Sequence, residues 1–170
     1  MIKSIRFSFI KNTLIYFIIF GLLIFNFSNT AWAKRPPEIR NQQELDLEQD
    51  MHGQDLSGNE FVKFDLNGFN FSESNLQGAV FNNSKLNNAS LNGADLTDAL
   101  AYATDFTGAD LTNVNFTNAL LMESNFDGAK IDGADFTDAV LSRIQQKELC
   151  KMASGVNTNT GESTEYSLGC

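Results

Sequence analysis

Between Leu56 and Leu141 a large apolar residue returns at every fifth position, with one lapse at Ala101. The series runs Leu56, Phe61, Leu66, Phe71, Leu76, Phe81, Leu86, Leu91, Leu96, Ala101, Phe106, Leu111, Phe116, Leu121, Phe126, Ile131, Phe136 and Leu141. In an α-helix, steps of five rotate the side chain by about 140° each time and spread it around the cylinder. In a strand, an odd step sends successive groups to opposite faces. A chain that turns a corner every five residues instead points all of them at a common axis. The beat predicts an all-β solenoid. It supplies no chemistry.

We call the recurring apolar site the centre of each unit. Two residues before it stands something small: Ala79, Ala89, Ala94, Ala99, Ala109, Ala119, Ala129, Ala134 and Ala139, with Ser74, Ser84 and Ser124. Both positions have the parity that points inward, so large and small groups alternate inside a narrow tube. Phe64 and Phe69 break this rule together, which predicts a wider first coil or a plug over the open end. Ala101 is the weak rung, with Phe81 or Leu121 expected to lean into the gap. Two residues after the centre come turn formers: Gly58, Gly68, Gly78, Gly93, Gly108, Gly128 and Gly133, or Asn83, Asn88, Asn113, Asn118, Asp98 and Asp138. A type II corner needs positive φ at this site, which Gly supplies freely and Asn tolerates. The two remaining sites face solvent and are mostly Asp, Asn, Thr or Ser.

Units such as Ala94-Asp95-Leu96, Ala109-Asp110-Leu111 and Ala134-Asp135-Phe136 resemble the pentapeptide-repeat family. The resemblance implies a right-handed quadrilateral β-helix with four pentapeptides per coil. Eighteen centres then give about four and a half coils over residues 51–141, a tube about 22 Å long at the spacing of neighbouring strands.

The 33 N-terminal residues have the build of a secretory signal peptide. Lys3, Arg6 and Lys11 lead, Leu14 to Phe25 is apolar apart from Gly21, and Ala31-Trp32-Ala33 offers a cleavage site before Lys34. The apolar core is too short for a comfortable membrane span, and no twin arginine is present. The general secretory route is therefore expected, with no stable membrane anchoring once the leader is removed. Losing those three cations leaves nine basic residues against 21 acidic ones, a net of −12. Such a surface repels nucleic acid. Residues 34–50 form an N-terminal segment or cap, where a short helix or extended chain fits equally.

After Leu141 the beat stops. Ser142 and Gln145 have capping-box spacing and predict a helix to about Ala153, striped by Ile144, Leu149 and Met152 and ended at Gly155. Cys150 and Cys170 close the 142–170 region. In an exported chain they are expected to form a disulfide, closing a loop of some 20 residues and adding about 3 kcal/mol. Their spacing is not the C-x-x-C of a redox-active pair. Asn157 to Tyr166 is polar and predicted to be a surface loop. Leader, repeats, terminal helix and late cysteines together are similar to the pentapeptide proteins of the thylakoid lumen of cyanobacteria and plastids. The resemblance implies that location, with the periplasm as alternative, and implies no activity.

No nucleophile motif, phosphate loop or zinc spacing appears, so no enzyme, cofactor or small-molecule substrate is expected. His52 is the only histidine and is expected at the surface. Asp132, Asp135 and Asp138 are explained by their slots in the repeat and lack the glycine-rich nonapeptide of calcium-binding β-helices. Residues 20 apart stack. One outward column reads Asp55, Asn75, Asp95, Asn115, Asp135. The next reads Glu60, Val80, Leu100, Leu120, Val140, with Val62, Tyr102 and Met122 beside it. This apolar stripe of Val80, Leu100, Tyr102, Leu120, Met122 and Val140 is the candidate interaction face. Three coverings suit it: the chain's own tail (154–170), a second copy in a homodimer, or an unknown protein partner. Thr97, Thr117 and Thr137 stack as well, too narrow a ladder for organising ice. The function predicted is a structural or interaction module. The alternative is an acidic DNA mimic regulating a topoisomerase, since residues 51–142 hold 13 acids against three lysines; an exported protein would not meet that target.

Overall fold

Nearly every corner is closed by a hydrogen bond from the N–H three residues after a centre back to the centre's carbonyl, as from Asn59 to Leu56 (3.1 Å) and Ala79 to Leu76 (3.0 Å); at Phe64 and Thr104 that N–H goes instead to a serine hydroxyl of the next coil. The second central residue has positive φ at all eighteen corners from Gly53 to Asp138, between 51° and 70°. Positive φ at that one position is the signature of a type II turn. A corner every five residues therefore replaces continuous strands. The computed structural model describes residues 49–170. The predicted leader (1–33) and nearly all of the 34–50 segment lie outside the described residues.

Parallel bridges join residues 20 apart, from Asp50–Asn70 through to Leu120–Val140. Each is held by a pair of bonds such as Leu56 N–H to the Asn75 carbonyl (2.8 Å) and Asn75 N–H to the Gln54 carbonyl (2.9 Å). Four corners per 20 residues make a four-sided coil. Among the described residues the first corner is at Met51, one unit before the first Leu of the apolar series.

Centres from Leu56 to Phe136 and the sites two before them from Asn59 to Ala134 are buried, while Met51, Ala139 and Leu141 at the two ends are partly buried. Phenylalanines 20 apart stack, with ring centroids 5.0 Å apart for Phe61–Phe81 and 5.3 Å for both Phe106–Phe126 and Phe116–Phe136. Rings from neighbouring sides meet edge to face, as in Phe61–Phe71 at 6.0 Å. Such pairs add about 0.5–1.5 kcal/mol beyond the area they bury. Phe64 and Phe69 are buried too: Phe64 meets Phe61 edge-on (6.1 Å) and Phe69 stacks on Phe71 (5.9 Å). Ala101 is fully buried, and Thr104 and Val114 also occupy the inward site.

The C-terminal region corrects the sequence reading in three respects. Helix α1 spans Arg143–Leu149, shorter than expected. Beyond Leu149 the chain tightens into three-residue turns (Lys151 N–H to Glu148, Met152 N–H to Leu149), and the Ser154 carbonyl is drawn to Gly133 N–H at 2.8 Å. Of the expected stripe only Leu149 is buried, while Ile144 and Met152 are exposed. The segment predicted as a loop contains α2, Thr164–Leu168, capped by Ser163 and ended by Gly169 in the left-handed conformation. The capping box itself is present, with Ser142 and Gln145 bonded reciprocally. Cys150, the C-cap of α1, is joined to Cys170 with their Cα atoms 5.7 Å apart.

Candidate functional site

In a pleated wall, the residue before each inward centre points outward. Three sides of the coil dress that site with Asx chemistry. The hydroxyls of Thr97, Thr107, Thr112, Thr117 and Thr137 each donate to the carboxyl or amide oxygen two residues earlier, at 2.5–2.6 Å. Between coils, Asn75 donates to Asp55 (3.0 Å), Asn70 to Asp50 (2.9 Å), and Lys130 pairs with Asp110 (3.7 Å). Burial opposes ionisation of Asp105 and Asp110, but bonds from Thr107 and Asn87 to the first, and from Thr112 and Lys130 to the second, outweigh it. Both carboxyls are held below their ordinary values. The threonine ladder is thus committed to its own turns.

The fourth side has none of this. Glu60, Val80, Leu100, Leu120 and Val140 are bridged into one outward column. Leu100, Leu120 and Val140, with Val62, Tyr102 and Met122 beside them, are each 36–43% exposed. Val80 is half-buried. Between Val62 and Tyr102 stands Asn82, whose side-chain oxygen accepts the Tyr102 N–H at 2.9 Å. The Tyr102 phenol is hydrogen-bonded to the Glu123 carboxylate, and that bond pushes its pKa above the ordinary value.

The corner bounding this side is built unlike the others. Its left-handed residues are Lys63, Asn83, Ala103 and Glu123, with no glycine among them. Behind them runs a column of buried hydroxyls. Ser84 accepts the Phe64 N–H (2.9 Å) and donates to the Phe61 carbonyl. Thr104 donates to the Phe81 carbonyl (2.8 Å). Ser124 accepts the Thr104 N–H (3.0 Å) and donates to the Ala101 carbonyl. At the top, Gln145 of α1 donates to the carbonyls of Leu121 and Ser124, both at 2.8 Å. Each buried hydroxyl ties one coil to the next, so the apolar side stands on a cross-linked frame. The serines of this column were read from sequence only as small residues; their hydroxyls are what the corner uses.

The tail goes elsewhere. Asn157 donates to the carbonyls of Asn113 (3.1 Å) and Val114 (3.2 Å), Thr158 N–H to Asn113 Oδ1 (3.2 Å), and Phe136 N–H to Ser167 (3.0 Å). Asn113 and Gly133 form the corner ten residues, half a coil, from Ala103 and Glu123. The tail therefore docks diagonally across from the stripe, and of the three coverings considered, the chain's own residues 154–170 are not the one.

The described residues include no cluster of His, Cys, Asp or Glu suited to a metal ion, and no helix long and apolar enough to cross a membrane. His52 lies at the surface, 3.9 Å from Glu73. Asp132 accepts from Ser154 (2.7 Å).

The family model for pentapeptide repeats matches residues 65–100 and 103–143 in eight copies. A pentapeptide repeat protein from the thylakoid lumen of Arabidopsis thaliana is 38% identical, covering 82% of this chain and 99% of that one (TM-score 0.30). The chain belongs to the pentapeptide repeat family. A pentapeptide repeat protein from the cyanobacterium Cyanothece shares the fold at 20% identity, over 60% of this chain and 97% of that one (TM-score 0.52). A plasmid-mediated fluoroquinolone resistance protein aligns at 26% identity over 55% and 61% of the two chains (TM-score 0.33). No curated protein matches.

Proposed function

We propose that this protein is a non-enzymatic interaction module, exported by the general secretory route to the thylakoid lumen, that docks a partner or a second copy of itself through its apolar side. The observation that carries the reading is the exposure of six large apolar side chains on one side of a solenoid whose other sides are sheathed in Asx–Thr bonds. Solvent-exposed apolar area arranged continuously is the usual mark of an interface. The lumenal relative at 38% identity supports the location, as does the signal-like N-terminus. The cross-linked corner supports a docking role, because a rigid surface loses little conformational entropy on binding.

Fractionation tests the location. The expected result is a mature chain beginning at Lys34 in the lumenal fraction. Recovery of the unprocessed chain with cytosolic DNA and topoisomerase would instead favour the acidic duplex mimic.

A further inference from the structure

The apolar side is its own complement, and we infer that its occupant is a second copy of this chain, paired antiparallel about a two-fold axis between Leu100 and Leu120. This rests on the docking reading above and names its partner. From bottom to top the outward column reads Glu60, Val80, Leu100, Leu120, Val140, and Arg143 follows at the upper end, exposed. A two-fold axis lying in the interface, perpendicular to the solenoid, reverses the order of coils and keeps each column opposite itself. Leu100 then faces Leu120 of the other copy, and Val80 faces Val140. In the neighbouring column Tyr102 faces Met122, and Asn82 faces Ser142.

Every pairing matches like with like: aliphatic on aliphatic, sulfur on aromatic ring, amide on hydroxyl. Sulfur–aromatic contacts of this kind are favourable. The acidic lower end, Glu60, is brought toward the basic upper end at Arg143. The parallel alternative, with the axis along the solenoid, sets the first column against the second. It then places Val80 on Asn82 and Val140 on Ser142, burying two polar groups against aliphatics without partners. An isologous interface requires this self-complementarity, and only the antiparallel arrangement has it.

Six side chains about two-fifths exposed offer roughly 400 Å² of apolar surface per copy, which puts the pair at the low end of specific interfaces. A pair of this size is a weak, transient one, so the dimer is concentration-dependent and dissociates on dilution.

Sedimentation velocity on the purified protein tests this. The expected result for wild type is a rise in dimer between ~1 μM and ~100 μM, as for a weak, transient pair. Leu100→Asp/Leu120→Asn should be monomeric at both, with an unchanged thermal transition. Orientation is read by mild oxidation: Val80→Cys chains mixed with Val140→Cys chains should crosslink to each other, while neither crosslinks to itself. Wild type that stays monomeric throughout, or Val80→Cys chains that crosslink among themselves, overturns the proposal. If that monomer still loses a crosslinked partner when Leu100→Asp/Leu120→Asn is introduced, self-pairing alone has failed. A variant that keeps every crosslink removes the docking reading as well.

Discussion

Lys63, Glu73, Ala103 and Glu123 hold left-handed backbone conformations that side chains without special turn chemistry rarely adopt. The sequence rule of Gly, Asn or Asp at corners does not find these four. Their geometry comes instead from the coils above and below, whose ladder bonds leave the chain no other path. Lys63 N–H, for instance, donates to the Asn82 carbonyl (3.0 Å) and Ala103 N–H to Met122 (3.0 Å). Local preference is overridden at a cost of about 1–2 kcal/mol per residue, part of which glycine would recover. Ala103→Gly should therefore raise stability by about 0.5–1 kcal/mol in denaturant unfolding, less than the full strain because glycine's unfolded state is more disordered. The reverse change, Gly108→Ala, should cost about 1 kcal/mol, since Gly108 sits at φ +67° and a Cβ is strained there, while the exposed Asn88 side chain can turn away from it. Carboxylates carry a second prediction at this scale. Asp105 and Asp110 are held below their ordinary values, so their contribution is complete above the unfolded value of about 3.9 and is lost as pH falls through the lower folded values. Thermal stability from these two groups should be flat between pH 7 and 5 and decline below about pH 4. Asp105→Asn/Asp110→Asn should blunt that decline.

Elements show where sequence and structure part company. The interior was legible down to individual residues, because a buried centre and a buried small residue are both demanded by the narrow tube. So was the start of α1, from the capping box alone. The destination of the tail was not legible: Asn157 bonds to carbonyls 43 and 44 residues away, and nothing local records that. Nor was α2, a five-residue turn of helix held by its caps and the disulfide. Replacing both Cys150 and Cys170 with Ser should lower stability by about 3 kcal/mol through the freed 20-residue loop. Amide exchange should speed up first at Gly133, whose N–H bonds to Ser154. The walls follow a rule that only stacking reveals. Within residues 50–142 no acid stands directly over another; Asn, Lys, Ser, Thr, Gly or an apolar residue intervenes. Asn115→Asp breaks that rule by stacking three carboxylates at 95, 115 and 135. At the ~5 Å spacing of stacked coils this should cost about 1–2 kcal/mol per new pair. The deficit should shrink in high salt, measured as Tm at low and high ionic strength.

At the scale of the whole molecule, alternation of charge keeps three sides wet and self-satisfied while the fourth is left apolar over four coils. The stripe was visible in sequence once residues were registered by twenties, whereas its uncovered state depended on where the tail lies. On the docking proposal these side chains serve an interface and contribute little to the fold. Leu100→Asp/Leu120→Asn tests it, because the pair copies the Asp95–Asn115 step of the adjacent side and adds no stacked carboxylates. The measurement is denaturant unfolding of the variant, beside chemical crosslinking in isolated membranes and soluble extract. Unfolding free energy within about 1 kcal/mol of wild type, as for surface changes, together with loss of the crosslinked species, is the predicted result. A loss of about 3 kcal/mol or more, typical of core changes, or crosslinked species identical to wild type, would contradict it.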